Sequence, residues 1–187
     1  MMFFFVAMIH FPGALANSDE RIIWTIVFRE TSFGGAGWLL AATTLVERDG
    51  RARTILLALG RVCVTMALVV FGAEHFLHPT VLPGVPLQQQ MPTWVPGQVL
   101  IGYVTGAALL LAAGSTLLGR HTRKAATLLA AWLLLLIVAI YVPFFIASLA
   151  SPEASVQIQG VNYLADTLLF VGVILALAKA SPLHQRP

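Results

Sequence analysis

Residues 125–150 read AATLLAAWLLLLIVAIYVPFFIASLA, a run without a charged side chain. A helix crosses the hydrocarbon core of a bilayer with about 20 largely apolar residues, each rising 1.5 Å, so this run predicts a transmembrane helix. Residues 54–77, 99–118 and 161–178 meet the same requirement or nearly so. Of the 187 residues, 58% are hydrophobic and 10% charged, and the mean hydropathy is +0.86. A soluble enzyme is excluded, because one small water-soluble core cannot hide four such runs.

Two further stretches, residues 3–15 and about 25–46, are shorter or carry charge, and we expect both to cross the membrane as well. The sequence therefore predicts an all-α integral membrane bundle of six transmembrane helices, with four as the minimum. The first 16 residues also resemble a signal peptide, since Ala14-Leu15-Ala16 fits a cleavage site. No Lys or Arg precedes the apolar run, which favours a retained helix.

Basic residues collect at alternate ends of the predicted helices, as six consecutive crossings require. The positive-inside rule then places both termini and the basic loops in the cytoplasm, in a bacterial-type plasma (inner) membrane. Arg61 lies within the third helix, near enough to its cytoplasmic end to snorkel to the headgroups. No basic patch interleaved with aromatic residues exists, so a nucleic-acid partner is not predicted. The residues that set the orientation are Arg48, Arg51, Arg53, Arg120, Arg123, Lys124, Lys179 and Arg186.

Two parts of the chain resemble each other. Residues 8–12 (MIHFP) and residues 139–143 (AIYVP) each place a proline near the outer end of a helix. Each is followed by a polar loop and then by an acid-threonine pair, Glu30-Thr31 in the first copy and Asp166-Thr167 in the second. We interpret this as a degenerate duplication in which helices one and two correspond to helices five and six.

Ionisable residues inside a bilayer cost a few kcal/mol each, so those that are present usually face a cavity or a partner. Asp166 is the residue for which this free-energy cost is largest. Glu30 can pair with the adjacent Arg29. A carboxylate together with several histidines can bind a divalent metal, relay protons or form hydrogen bonds to a quinone carbonyl. The same combination of side chains is equally typical of helix ends that simply face headgroups and water. We predict a ligand or proton-exchange site at the outer mouth formed by Glu74, His75, His78, Asp166, Asn162, Tyr163, His10 and Glu30.

The segment between helices three and four, residues 80–97, contains four prolines. The four prolines prevent a long helix, whereas the segment contains too many apolar residues for a linker that is fully exposed to water. We expect a lid that is re-entrant or lies along the membrane interface, formed with Pro92, Trp94 and Pro96, in which Trp94 anchors the loop at the interface. The alternative is an ordinary interfacial loop. For helix packing, the small residues that permit close approach are Gly102 and Gly106 on one face and Gly34 and Gly35 on another.

The motifs Phe71-Gly72-x-x-His75-Phe76, Val85-Pro86, Pro92-Thr93-Trp94-Val95-Pro96 and Tyr103-x-x-Gly106 occur in this order. In this order and spacing they resemble the DoxX-like family of small membrane proteins over residues 54–180. The resemblance implies a four-helix unit, residues 54–187, preceded by a two-helix half-repeat, residues 1–53. It also implies links to a thiosulfate:quinone oxidoreductase subunit, to the assembly of redox enzymes and, in distant eukaryotic relatives, to chaperoning of receptor subunits.

The leading functional hypothesis is a membrane subunit or accessory protein of a redox or quinone-linked system, embedded in the lipid bilayer beside a membrane or redox protein partner. Quinone is the candidate cofactor. Cys63 is the single cysteine, so this chain alone cannot build a Cys-based metal site, and the partner is expected to carry the redox centre. The alternative is a non-enzymatic scaffold or chaperone for other membrane proteins, whose signature would be glycine faces left free for a partner.

Overall fold

The computed structural model describes residues 2–44 and 50–181, and within these residues it is helical apart from loops and one isolated β-bridge. The predicted all-α class is confirmed. Arg48 and Arg186, two of the residues used for the orientation, lie outside the described residues. The described residues form six helices: α1 Met2–Ala16, α2 Arg21–Thr44, α3 Gly50–Leu77, α4 Gln98–Leu117, α5 Thr122–Leu149 and α6 Ala154–Lys179.

The four helices α3, α4, α5 and α6 are long and apolar enough to cross a membrane. The chain is thus a multi-pass membrane protein. Length and charge distinguish the other two helices, α1 and α2, from these four. α1 spans about 22 Å at 1.5 Å per residue, which is shorter than the hydrocarbon core. α2 has 24 residues but includes Arg21, Arg29 and Glu30. That α1 and α2 also cross the membrane stays a prediction.

Helices α2 to α6 form a closed bundle in which each helix packs on the next and α6 returns to α2. α1 lies outside this ring against α2, where the Phe3 ring stacks on Trp38 with ring centroids 4.0 Å apart. The centre of the bundle is filled by large side chains that are almost completely buried. These include Leu39, Leu68, Phe71, Leu109, Leu133, Phe170 and Ile174.

Two helices contain a π turn at the same position relative to a proline. In α1 the π turn Val6–His10 precedes Pro12, and in α5 the π turn Ile137–Tyr141 precedes Pro143. Proline has no N–H and its ring crowds the carbonyl one turn earlier, so a wider turn accommodates it. That α1–α2 and α5–α6 are copies of one unit stays a prediction.

The loop between α3 and α4 enters the bundle. Residues 81–87, called the plug below, are all buried, and the chain then turns back, with the Leu82 N–H donating to the Gln89 carbonyl at 2.9 Å. Gly84 has a φ of +115°, a conformation that glycine adopts readily. A methyl group at Gly84 would lie 3.3 Å from Leu133 and 3.4 Å from Thr167, within the middle turns of α5 and α6. Residues 81–87 are therefore re-entrant and surrounded by protein.

The two ends of the bundle carry opposite charge. At the end where α3 begins and α6 ends lie six cations, and we call it the basic end: Arg51, Arg53, Arg120, Arg123, Lys124 and Lys179. At or toward the other end, the acidic end, lie all six carboxylates of the described residues: Asp19, Glu20, Glu30, Glu74, Glu153 and Asp166. This separation is the charge asymmetry on which the predicted orientation depends.

Candidate functional site

Arg29 joins the two acidic residues that the proposed duplication pairs. Its Nη1 donates to Asp166 Oδ2 of α6 at 2.5 Å, and its Nε and Nη2 donate to Glu30 Oε1 at 3.1 and 2.7 Å. The three side chains are between 14% and 17% exposed. One cation between two carboxylates leaves the cluster with one excess negative charge when all three are ionised. The guanidinium offsets much of the cost of keeping these carboxylates away from water.

Beside this cluster is a cavity of about 550 Å³ between α2, α6 and the plug. We call it the acidic-end cavity. Its volume lies within the range of small-molecule binding sites, and its walls combine aliphatic with hydrogen-bonding side chains, as such sites do. It is open at the surface. The lining residues are Ile22, Ile26, Arg29, Leu87, Ser155, Val156, Ile158, Gln159, Asn162, Tyr163 and Asp166.

Three of the predicted site residues come together on one face of α6. Asn162 and Asp166 are four residues apart and Tyr163 lies between them, so successive turns present all three to the cavity. The Tyr163 hydroxyl accepts a hydrogen bond of 2.8 Å from the Gln89 N–H, just beyond the plug. Tyr163 thereby connects the cavity wall to the loop between α3 and α4.

Glu74 belongs to a second ion pair. Arg21, two turns before Arg29 on α2, donates from Nη1 to Glu74 Oε2 and to the Pro86 carbonyl, the latter at 2.9 Å. Its Nη2 donates to the Leu87 carbonyl at 2.9 Å. One guanidinium thus satisfies a carboxylate on α3 and two carbonyls at the end of the plug. Glu74 holds the loop through Arg21 and is not among the residues that line the acidic-end cavity.

His75 is fully buried and both of its ring nitrogens bind the protein. The Gly84 N–H donates to Nε2 at 3.0 Å, so Nε2 is the acceptor and the proton is on Nδ1, which donates to the Phe71 carbonyl at 2.8 Å. On the other side of the plug, the Tyr141 hydroxyl donates to the Pro83 carbonyl at 2.6 Å. These bonds satisfy plug backbone groups that lie far from water. We assign His75 to positioning the plug, since neither ring nitrogen is left for a ligand.

The remaining predicted site residues are dispersed. His78 is exposed just after α3, and His10 lies in the π turn of α1. Trp94 is 51% exposed and Pro96 is exposed, while Pro92 is partly covered. Within the described ranges, no group of three or more His, Cys, Asp or Glu side chains could hold a metal ion. The structure therefore brings together Asp166, Asn162, Tyr163 and, through Arg29, Glu30, but it separates them from the histidines.

The glycines predicted for helix packing all face another part of the chain. A methyl group at Gly102 would overlap the Pro79 backbone, and one at Gly106 would lie 3.0 Å from the Gly72 carbonyl oxygen and from His75. Gly35 meets Cys63 and Gly60 across the contact between α2 and α3, and Gly34 meets the Phe3 ring of α1. These close approaches hold the bundle together internally.

The sequence predicts that Arg29 pairs with Glu30, and the structure contains this pair. The sequence does not predict that Arg29 also binds Asp166, or that Arg21 and Tyr141 hold the plug. One signal was present: Arg21, Thr25 and Arg29 recur every four residues, which places them on one face of a helix. A charged face on a helix in a membrane protein predicts carboxylate partners on its neighbours.

No protein-family model, no curated protein and no solved structure matches this chain. The resemblance to the DoxX-like family, which depends on motifs between Phe71 and Gly106, stays a prediction.

Proposed function

We propose that this chain is the membrane subunit or accessory protein of a quinone-linked redox system and binds a quinone in the acidic-end cavity. The observation that carries the proposal is the Arg29–Asp166 pair in the wall of a cavity of about 550 Å³ whose other lining side chains are aliphatic and polar in similar numbers. A quinone head group is a flat apolar ring with an oxygen at each end. Such a ligand needs apolar walls and a few hydrogen-bonding groups at fixed positions.

The lining side chains match these needs. Ile22, Ile26 and Val156 supply apolar surface for the ring. Arg29 and Asn162 supply N–H donors for the oxygens of a quinone. Asp166 supplies an acceptor for the hydroxyl proton of a quinol, and its ion pair with Arg29 orients it for that contact.

Oxidation of a quinol releases two protons and two electrons. In this proposal Asp166 takes up the two protons one after the other and passes each to water at the open side of the cavity. The electrons go to a redox centre in a partner protein, because one cysteine cannot supply the thiolates of an iron–sulfur cluster. The chain then contributes quinone binding and proton transfer, and the partner contributes electron transfer.

The test is to purify the full chain in a mild detergent, extract it with organic solvent and quantify quinone by absorption and mass spectrometry. We expect the wild type to retain quinone. With both proteins kept under dithionite, so that the bound ligand is a quinol, we expect Asp166→Asn to lose most of it, since a hydrogen bond from the quinol hydroxyl to a charged group is worth about 1.5–3 kcal/mol, roughly a factor of ten or more in affinity. Glu153→Gln is the matched control, because Glu153 is an exposed carboxylate at the same end of the bundle but outside the cavity.

Two results count against the proposal. Wild-type protein that carries no more quinone than empty micelles of the same detergent and lipid would contradict quinone binding. Equal loss in Asp166→Asn and Glu153→Gln would place any bound quinone elsewhere. Both variants must show the wild-type elution volume and helicity, so that loss of ligand is not confused with loss of fold.

The scaffold alternative receives less support from the structure. It requires small-residue faces that another membrane protein can approach closely. Gly102, Gly106, Gly34 and Gly35 are instead covered by other parts of this chain. These four glycines are therefore already used in the fold, whereas Gly37 of the same predicted face is exposed and has nothing within 4 Å.

A further inference from the structure

A second cavity lies on the outside of the bundle, along α3 between α2 and α4. It has a volume of about 440 Å³ and shares no lining residue with the acidic-end cavity. We call it the α3 groove. Its surface is mostly apolar, and Val62 and Met66 are 55% and 48% exposed, as expected for side chains that face lipid. The groove is lined by Phe28, Arg61, Val62, Thr65, Met66, Val69, Val70, Thr116 and Leu117.

Arg61 is the single charged residue of this lining and marks one end of the groove. Its Nη2 donates to the Ala180 carbonyl, just after α6, at 3.2 Å. Leu117, the last residue of α4, lines the same part of the groove. The guanidinium is thus level with the ends of two helices at the basic end, where headgroups meet hydrocarbon. From there the groove follows α3 as far as Val70, about 13 Å along the helix axis.

Arg61 has hydrogen-bonding capacity that no described residue uses. Its Nε is buried and has no hydrogen-bond partner among residues 2–44 and 50–181. A buried polar group without a partner destabilises the protein, and more so when it is charged. Nη1 also has no hydrogen bond to a described residue and, unlike Nε, is not buried, so the guanidinium can donate to an acceptor from outside the chain.

The charge of the surroundings indicates what this acceptor is. At the acidic end both arginines, Arg21 and Arg29, pair with carboxylates. At the basic end, Arg61 and the six cations that define this end form no ion pair with any described residue. Positive charge beside a membrane attracts anionic lipid, with about a fivefold preference for each basic residue near the surface.

From these observations we infer that the α3 groove is a binding site for an anionic phospholipid of the leaflet at the basic end. The phosphate contacts the Arg61 guanidinium, and one acyl chain lies along Val62, Met66 and Val69. An apolar trough of this length that ends in a cation at headgroup level has the shape and the charge of such a lipid. The inference is independent of the proposed function, because the two cavities are separate.

The test uses native mass spectrometry of the full chain in micelles that contain equal amounts of phosphatidylglycerol and phosphatidylcholine with identical acyl chains. We expect phosphatidylglycerol to be retained in preference to phosphatidylcholine. Arg61→Gln should lower the retention of phosphatidylglycerol about tenfold or more, the factor that corresponds to a hydrogen bond to a charged group, whereas loss of a basic residue that only adds to the surface charge should lower it about fivefold at most. Arg53→Gln is the matched control, since Arg53 is an exposed cation on the same helix at the same end but outside the groove.

A second variant tests the acyl-chain contact and keeps the inference testable if Arg61→Gln does not fold. Met66→Trp fills the groove with a residue that lipid-facing positions accept, and it should reduce retention of both lipids. Equal retention of the two lipids by the wild type would overturn the inference, and so would equal effects of Arg61→Gln and Arg53→Gln. Displacement of phosphatidylglycerol by millimolar inorganic phosphate would also overturn it, because the site would then bind a free anion.

Discussion

Replacement of His75 by leucine tests most clearly whether this histidine positions the plug. Leucine has a similar volume but no acceptor, so the buried Gly84 N–H loses its partner, which lies 3.0 Å away in the wild type. An unsatisfied buried N–H costs about 1–3 kcal/mol, and we expect the free energy of unfolding to fall by that amount. His75→Gln should recover part of the loss, because its amide oxygen can occupy the position of Nε2.

The measurement is a denaturant titration of the purified protein in detergent micelles, followed by the fluorescence of its four tryptophans. His78→Leu is the control: His78 is exposed just after the same helix, and exposed substitutions usually change stability by no more than about 0.5 kcal/mol. The reasoning is refuted if His75→Leu and His78→Leu have equal effects. It is also refuted if His75→Gln is as unstable as His75→Leu, since the acceptor would then be irrelevant.

Two further substitutions test the packing around the plug. Gly102→Ala places a methyl group against the loop backbone and should lower the free energy of unfolding by about 1–3 kcal/mol. Gly114→Ala on the same helix places its methyl group in open space and should be neutral or slightly stabilising. The two variants are compared by thermal unfolding in detergent, and equal melting temperatures would contradict the packing account. Tyr141→Phe leaves the buried Pro83 carbonyl without its donor and should cost about 1–3 kcal/mol in the same assay, while Tyr103→Phe, at a residue that is 42% exposed, should have little effect.

Much of the fold followed from hydropathy. An uncharged run such as residues 125–150 has to be a helix in a bilayer, because no other single segment satisfies its own backbone there. The predicted spans agree with α3 to α6 to within a few residues, except that α6 begins at Ala154, seven residues before the predicted start at 161. That first part of α6 is polar, so hydropathy gave no signal for it.

The site was harder to predict because its contacts join distant parts of the chain. That Arg29 meets Asp166 depends on the rotation of α2 and α6 about their axes, which side-chain packing determines. His75 was predicted as a ligand because a histidine near a carboxylate suits that role; its actual partner, Gly84, lies in a loop without periodicity. Hydropathy and spacing identified the polar residues but could not show which of them share a cavity.

Photoaffinity labelling with an azidoquinone, followed by peptide mapping, tests the central claim most directly. The account predicts label on the cavity-facing segments 22–29 of α2 and 155–166 of α6 and competition by unlabelled quinone. Labelling of α3 around Met66 would place the ligand in the outer groove. That result, or labelling that excess quinone does not reduce, would contradict a quinone site beside Arg29 and Asp166.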